Sequence, residues 1–397
     1  MHGESVAHMI KRLRQSKKWT QPKLAREMCR AAGVPEGSLT AQDIYRYEKG
    51  KRTPRDWLPA LAIALDVPIS EFEAALAPQE PQPKTVADFL PEGDPLEQLT
   101  TRRGKRVGML DVTDLAGRIH GLRLADDVMA GGDLIAPALR ELRSAVKLFR
   151  EGSHTEEIGR ALLSQIGELS QIAGWIAADA GQQAEAERIY QLGLSAAKQA
   201  DDVTGVGNLA GSLAYMWSNN GQAEKAVDLA RAGLSDDAPP KARALHWDRV
   251  AWAHTQAEQA TPAIAALGEA REALTEDQGD NPPFLYWVSQ DELTVMEARV
   301  YTELHRPLRA VPILTKVLDR YDPTRTRELA LYLSWLAVAY VDANEPEEAA
   351  ATAARVISMS ADISSDRTAE RVKVVVERLR EYDDVPEVRE VLDSVAA

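Results

Sequence analysis

At 397 residues the chain is too long for one ordinary core, so two or three domains are expected. Its net charge of -14 excludes a protein that clings to nucleic acid along its whole length, and its one cysteine, Cys29, excludes an intrachain disulfide and a zinc-holding thiolate cluster. The sequence has no run of eighteen apolar residues, and its first residues are polar and charged with no apolar signal core, so a cytoplasmic protein with no membrane partner is expected.

Residues 4–76 read as short amphipathic helices around a break. Thr20-Gln21 opens one, and Leu39 to Gly50 forms another with both ends marked. Thr40 and Asp43 have capping-box spacing, Leu39 and Ile44 can staple across it, and Gly50 can end the helix. Ile44 and Tyr47, three apart, face a core, while Gln42 and Arg46, four apart, share the outer face with Tyr45 beside them. A merely solubilising face favours Glu and Lys, whereas Gln can bond adenine bidentately and Arg can do the same with guanine. Residues 1–77 hold thirteen Lys and Arg against nine Asp and Glu, a net of +4, and the rest of the chain carries -18. Positive charge at one end of an acidic chain is the electrostatic footprint of a small nucleic-acid module on a larger acidic body. Cys29 is expected to pack as a small hydrophobe near the end of the second helix.

This segment resembles the lambda-repressor-like helix-turn-helix family, also called the XRE family. The matching residues are Ile10, Leu13 and Arg14 on helix one, Thr20-Gln21 and Leu24-Ala25 on helix two, and Ile44-Tyr45-Arg46-Tyr47-Glu48-Lys49-Gly50 on helix three. Arg52-Thr53-Pro54 follows. Trp57, Leu58, Leu61, Ala62, Leu65, Val67, Ile69 and Phe72 resemble helices four and five. The resemblance implies that helix three lies in the major groove, with Ala41, Gln42, Tyr45 and Arg46 as base readers. It implies that the start of helix two meets phosphate through Gln21 and Lys23, with Lys17, Lys18, Lys49, Lys51, Arg52 and Arg55 as further phosphate contacts. It also implies that Arg14 and Glu48 form a structural ion pair outside the reading surface. One departure from the family is a long connection, Arg30 to Ser38, where a tight turn is usual.

Residues 78–105 read as a linker, because Pro78, Pro81, Pro83, Pro91 and Pro95 lie among Gln and Glu, although Phe89 and Leu90 are apolar enough to pack. Residues 106–397 read as helical throughout. Leu115, Ile119 and Leu122 mark one helix, Gly131-Gly132 breaks it, and Leu134, Leu139, Leu142, Val146 and Phe149 mark the next. Then Ala186, Ala226, Ala266, Ala310 and Ala349 recur at spacings of 40, 40, 44 and 39. Each follows a turn marked by Gly181-Gln182, Gly221-Gln222, Thr261-Pro262, Arg306-Pro307 or Asn344-Glu345, which is the signature of stacked helical hairpins. Trp175, Tyr215, Trp217, Trp252 and Tyr340 supply bulk on the preceding helices. The array resembles tetratricopeptide repeats, with hairpins longer than the strict period of about 34 residues. The charged stretch Arg367 to Leu392 suits a solubilising cap. First helices of such arrays line a concave surface, so Asn208, Ser212, Tyr215, Trp247, Tyr286, Gln290, Tyr332 and Trp335 are candidate effector contacts, each aromatic equally suited to the core.

Enzyme chemistry is not expected. Gly205-Val206-Gly207-Asn208-Leu209-Ala210-Gly211 has the wrong spacing and no preceding strand for a dinucleotide loop. His246 and His254 share a helical face without carboxylates to complete a metal site, and Asp126-Asp127 reads as a helix end. Neither a metal nor a cofactor is expected. The whole therefore reads as an all-α chain with a five-helix DNA-binding domain over residues 1–77 and a TPR-like α-solenoid over 106–397. The expected function is a sequence-specific transcriptional regulator, homodimeric through the repeats, whose partners are double-stranded DNA and a peptide or small-molecule effector. The competing expectation is a protein-interaction scaffold with weak or no specific DNA binding, which would favour apolar residues on the outer face of helix three.

Overall fold

The computed structural model describes residues 6–76, 83–93, 95–97, 104–129, 131–279, 281–322, 326–360 and 366–396. Among the described residues the chain is all-α: it has no strand, and its one isolated bridge joins Arg106 and Ser153. It divides into two compact units, Met1–Gln82 and Pro83–Ala397.

The first unit holds α1 (Val6–Ser16), α2 (Gln21–Ala32), α3 (Ala41–Glu48), α4 (Leu58–Leu65) and α5 (Ile69–Leu76). The hydroxyl of Thr20 accepts from the Lys23 amide to cap α2, and Gly33 closes that helix at φ +68°. At the start of α3, Asp43 Oδ2 accepts from the Thr40 amide at 3.0 Å and Thr40 Oγ1 accepts from the Asp43 amide at 3.3 Å. Two amides that lack intrahelical partners are thus satisfied. The Thr40 hydroxyl first, and then its amide, holds the Asp43 carboxyl below the ordinary carboxylate range. At the other end Gly50 sits at φ +65°, and the Gly50 and Lys51 amides turn back to the Tyr47 and Arg46 carbonyls. Leu39 and Ile44 are buried in one core with Ile10, Leu24, Met28, Cys29, Tyr47, Leu61 and Phe72. Burial of each such aliphatic side chain contributes about 1.5–3 kcal/mol, enough for helices this short to persist only while packed together. The long connection runs over residues 33–40, with Gly33 and Gly37 at positive φ.

The second unit begins earlier than its sequence indicates. Within the stretch expected as a linker, Val86, Phe89 and Leu96 are buried in the main core, with the Phe89 ring 6.1 Å from that of Trp217. Lys84 Nζ meets Asp228 at 2.5 Å, and Val107 and Lys105 pair through their backbones with Ser153. Pro78 and Pro81 lie outside the described residues.

Its helices are α6 (Met109–Asp126), α7 (Gly131–Glu151), α8 (Glu156–Asp179), α9 (Gln183–Gln199), α10 (Val203–Asn219), α11 (Ala223–Ala232) and α12 (Pro240–Gln256). They continue with α13 (Ala260–Thr275), α14 (Gln290–Glu303), α15 (Pro307–Leu318), α16 (Thr326–Asp342), α17 (Pro346–Ser360), α18 (Asp366–Leu379) and α19 (Pro386–Ala396). From α8 to α17 successive helices pack as pairs; α8, α10, α12, α14, α16 and α18 form a row, each touching the next, and each odd-numbered helix from α9 to α17 packs on the even-numbered helix that follows it. Five turns repeat one geometry: Gly181, Gly221, Glu258, His305 and Asn344 all have left-handed φ, between +51° and +74°. In each, the next amide reaches back five residues, to the carbonyls of Ala177, Trp217, His254, Tyr301 and Tyr340.

That register corrects the repeat read from sequence. Five residues after each left-handed position stand Ala186, Ala226, Ala263, Ala310 and Ala349, every one fully buried. The third member is Ala263 rather than Ala266. Thr261-Pro262 misled because proline suits the first turn of a helix as well as a turn between helices, and here it lies inside α13.

Small residues bring these helices together. A Cβ on Gly193 would stand 2.6 Å from Leu209 Cδ2 and from Ser170 Cβ, and one on Gly233 would stand 2.6 Å from Ala210 Cβ. Gly207 leaves room for His246, whose Nε2 donates to the Ala230 carbonyl at 2.7 Å. Burial pushes this imidazole down to about 4, so it is neutral near pH 7. The glycine string from Gly205 to Gly211 is therefore a packing surface.

Candidate functional site

In the first unit α3 presents the polar face expected of it. Gln42, Tyr45 and Arg46 are exposed while Ile44 and Tyr47 are buried, and Ala41 is half-buried. Lys17, Lys18, Lys23, Lys49, Lys51, Arg52 and Arg55 are all exposed. Arg46 lies 3.8 Å from Asp43 and Arg52 lies 3.9 Å from the same carboxylate oxygen, weak exposed pairs that leave both guanidiniums available. Lys17 and Lys23 lie over the Trp19 ring at 5.4 and 5.2 Å.

Gln21 is engaged differently from the rest. Its amide donates to Glu48 Oε2 at 2.7 Å, and Glu48 is gripped by Arg14, with Nε to Oε1 at 2.5 Å and Nη2 to Oε2 at 3.1 Å. Arg14 Nη1 also donates to the Trp19 carbonyl at 2.7 Å. Three helices are thereby tied at one carboxylate, and Gln21 belongs to this clamp, which fixes the start of α2 against the end of α3. Such a two-pronged guanidinium grip is stronger and more directional than a neutral hydrogen bond.

The second unit forms an open-sided cavity of about 720 Å³ along the α8–α18 row. Asn208, Ser212, Tyr215, Tyr286, Tyr332 and Trp335 line it, as expected from sequence. Trp247 lines a smaller neighbouring recess instead, and Gln290, exposed in the first turn of α14, bonds Thr294. Four rings run along the wall: Trp175 to Tyr215 at 5.9 Å, Tyr215 to Trp252 at 6.1 Å, and Trp252 to Trp335 at 5.7 Å.

Sequence reasoning missed the arginines between these rings. The Arg249 guanidinium lies 4.5 Å from the Tyr215 centroid; that of Arg299 lies 4.6 Å from Trp252 and 5.1 Å from Trp335; that of Arg371 lies 3.5 Å from Trp335. Arg299 Nη2 donates to the Tyr215 hydroxyl at 2.8 Å and Arg371 Nε to Ser334 Oγ at 3.1 Å. Burial, opposed by Glu303 and reinforced by Arg299, brings Arg371 down to about 10, still charged at neutral pH. Burial also raises Asp248 to about 6 against the pull of Arg249 and Arg299. A spacing signal existed: Arg249 stands three residues before Trp252 on α12, so an aromatic presented toward the row brings a cation with it.

Several other polar groups on or near the wall are hydrogen-bonded. Arg123 Nη1 donates to Gln171 Oε1 at 2.9 Å, and Gln171 Nε2 donates to Ser212 Oγ at 3.1 Å. Glu292 accepts from the Tyr321 hydroxyl at 2.6 Å and from that of Tyr332, and Asp127 accepts from Tyr286 at 2.7 Å. His254 meets Gln259 at 2.7 Å. Among the described residues no group of three or more His, Cys, Asp or Glu is placed to hold a metal ion, and no helix is long and apolar enough to cross a membrane. Comparison of the chain with family models, with curated proteins and with solved structures gave no match.

Proposed function

We propose that the protein is a sequence-specific DNA-binding transcriptional regulator: a lambda-repressor-like helix-turn-helix unit joined to a TPR-like α-solenoid that dimerises and senses a peptide or small-molecule effector. One observation carries the reading: a short helix capped at both ends holds Gln42, Tyr45 and Arg46 in solvent, rimmed by exposed lysines and arginines. Gln and Arg have the donor and acceptor geometry for adenine and guanine edges, and the basic rim suits phosphates on either side. The clamp of Arg14, Gln21 and Glu48 supports it, because base readout needs a recognition helix held at a fixed angle to the helix that meets the backbone. Gln21 then acts chiefly by positioning, and Lys23 is the phosphate contact at the start of α2.

A homodimer would place two copies of α3 in successive major grooves, roughly 34 Å apart, and would select a palindrome with that spacing. Effector control then requires a ligand that favours one arrangement of the two heads over another. Selection from random duplexes with the full-length protein tests the reading. The expected result is a palindromic site bound with affinity that falls steeply as salt rises; recovery of unrelated sequences with equal affinity would refute it.

A further inference from the structure

Three arginines line the cavity of the second unit, two of them with one buried nitrogen left without a partner. Arg249 is 7% exposed, and its guanidinium stands 3.9 Å from a carboxylate oxygen of Asp248. Arg299 uses one nitrogen on Tyr215 and Arg371 uses one on Ser334; Arg299 Nε and Arg371 Nη2 are sealed without partners. A guanidinium withdrawn from water ordinarily has acceptors for most of its five N–H groups, because an unmet charged donor is costly to bury. Arg249 is buried, Arg299 and Arg371 are half-buried, and all three line the cavity. The wall carries carboxylates as well, Asp127 and Glu292 among them already taken by tyrosine hydroxyls, so the stretch that suits negative charge is the local one where these three guanidiniums meet the rings.

The rings decide what carries that charge. Arg249 and Arg299 flank Tyr215, and Arg299 and Arg371 flank Trp335, so cationic and aromatic surfaces alternate along one wall. Arg held on an aromatic face keeps its N–H edge free for a carboxylate or phosphate, while the neighbouring ring offers a flat apolar surface. The volume of about 720 Å³ falls within the range of small-molecule sites, roughly 300–1,000 Å³.

We propose that this cavity binds a small aromatic anion, its carboxylate or phosphate held by Arg249, Arg299 and Arg371 and its ring laid along Tyr215, Trp252 and Trp335. The proposal deepens the effector part of the regulator reading. It concerns the second unit alone, so binding can be measured without DNA.

The test uses the full-length protein and three probes of one shape: 2-naphthoate, 2-naphthyl phosphate and the neutral 2-naphthamide. Binding is read by quenching of tryptophan fluorescence and by thermal shift. At least one of the two anions is expected to quench and to raise the melting temperature in saturable fashion, with the amide bound at least about tenfold more weakly, as the loss of charge-assisted hydrogen bonds implies. Comparison of the two anions tells carboxylate from phosphate. Arg371→Met and Arg299→Met keep the apolar stem against the rings and remove the charge; each should weaken the preferred anion about tenfold or more while circular dichroism stays native. Equal affinity for acid and amide, undiminished binding in both folded variants, or no binding of any probe at millimolar concentration overturns the proposal. The acid-to-amide ratio needs no variant, so a misfolded Arg299→Met leaves the test intact. Failure here with a selected operator still bound would remove the ligand class and leave the DNA-binding reading standing; success without operator binding would do the reverse.

Discussion

In the first unit Gln42, Tyr45 and Arg46 stand in solvent on a helix whose apolar partners, Ile44 and Tyr47, are buried beneath them. In the second, the guanidiniums of Arg249, Arg299 and Arg371 lie against the rings of Tyr215, Trp252 and Trp335, Arg249 buried and the other two half-buried. On the reading proposed above, the contrast is one of how specificity is stored. On that reading, a recognition face on a helix of eight residues must be free to meet a large partner, so its polar groups lie outside and the surrounding core only fixes their angle. A cavity in a stack of helices would meet a small partner from several sides, so its polar groups are held by packing against neighbouring helices before the partner arrives.

The largest effect that separates the two units should come from Trp217→Ala. This fully buried indole meets Phe89 and lies under the Lys225 ammonium at 3.5 Å from its centroid, and its loss should cost about 3–5 kcal/mol. Hydrogen exchange should accelerate through α8 to α13 while α1 to α5 keep their protection. Equal acceleration in both would break the separation.

Acid should act on the second unit through His246. Its folded value is depressed from 6.5 to about 4, so its contribution is complete above pH 6.5 and is lost as pH falls toward 4. At about 1.4 kcal/mol per pH unit the loss approaches roughly 3 kcal/mol. Asp248, raised from 3.8 to about 6, has the opposite sign, since its contribution is complete below 3.8 and is lost as pH rises through 6. The wild-type curve is therefore flatter than either group alone would give. The difference between wild type and His246→Gln isolates the histidine, and denaturant unfolding from pH 7 to 4.5 should show the variant losing less stability. Parallel curves would remove His246 from the account.

Smaller effects sharpen the local geometry. Thr40→Ala deletes the cap of α3 and should destabilise the first unit by about 1 kcal/mol, with no change in unfolding of the second. Glu258→Gly should stabilise the α12–α13 hairpin by up to about 1 kcal/mol, because Glu258 occupies, at φ +59°, the position that Gly181 and Gly221 hold in other turns. A destabilising Glu258→Gly would contradict the common turn geometry.

The sequence announced α3 from Thr40 to Gly50 because its caps are local, decided by residues three and five apart. Gln21 escaped, since nothing near it in sequence says that Glu48, twenty-seven residues on, would take its amide. The boundary at Pro83 escaped for a related reason: Pro, Gln and Glu dominate the composition there, while the packing is done by Val86, Phe89 and Leu96 against partners more than a hundred residues away, such as Trp217. Tyr286 reaches the cavity from the connection before α14, while Asn208, Ser212, Tyr215, Tyr332 and Trp335 were legible from the position of first helices in a repeat. Arg299 and Arg371 were not, because helical periodicity marks a charged residue as solvent-facing, and only the stacking of non-adjacent helices encloses it.

The central claim, that the outer face of α3 chooses where the protein binds, is tested most directly by fluorescence anisotropy. Wild type and Arg46→Ala would each be titrated at fixed salt with a selected duplex and with its shuffled counterpart, with Lys51→Ala as control. The account predicts that Arg46→Ala surrenders about 1–3 kcal/mol of the preference for the selected duplex, while Lys51→Ala weakens both duplexes alike and leaves the preference unchanged. An Arg46→Ala protein that still folds and keeps the full wild-type preference would contradict it.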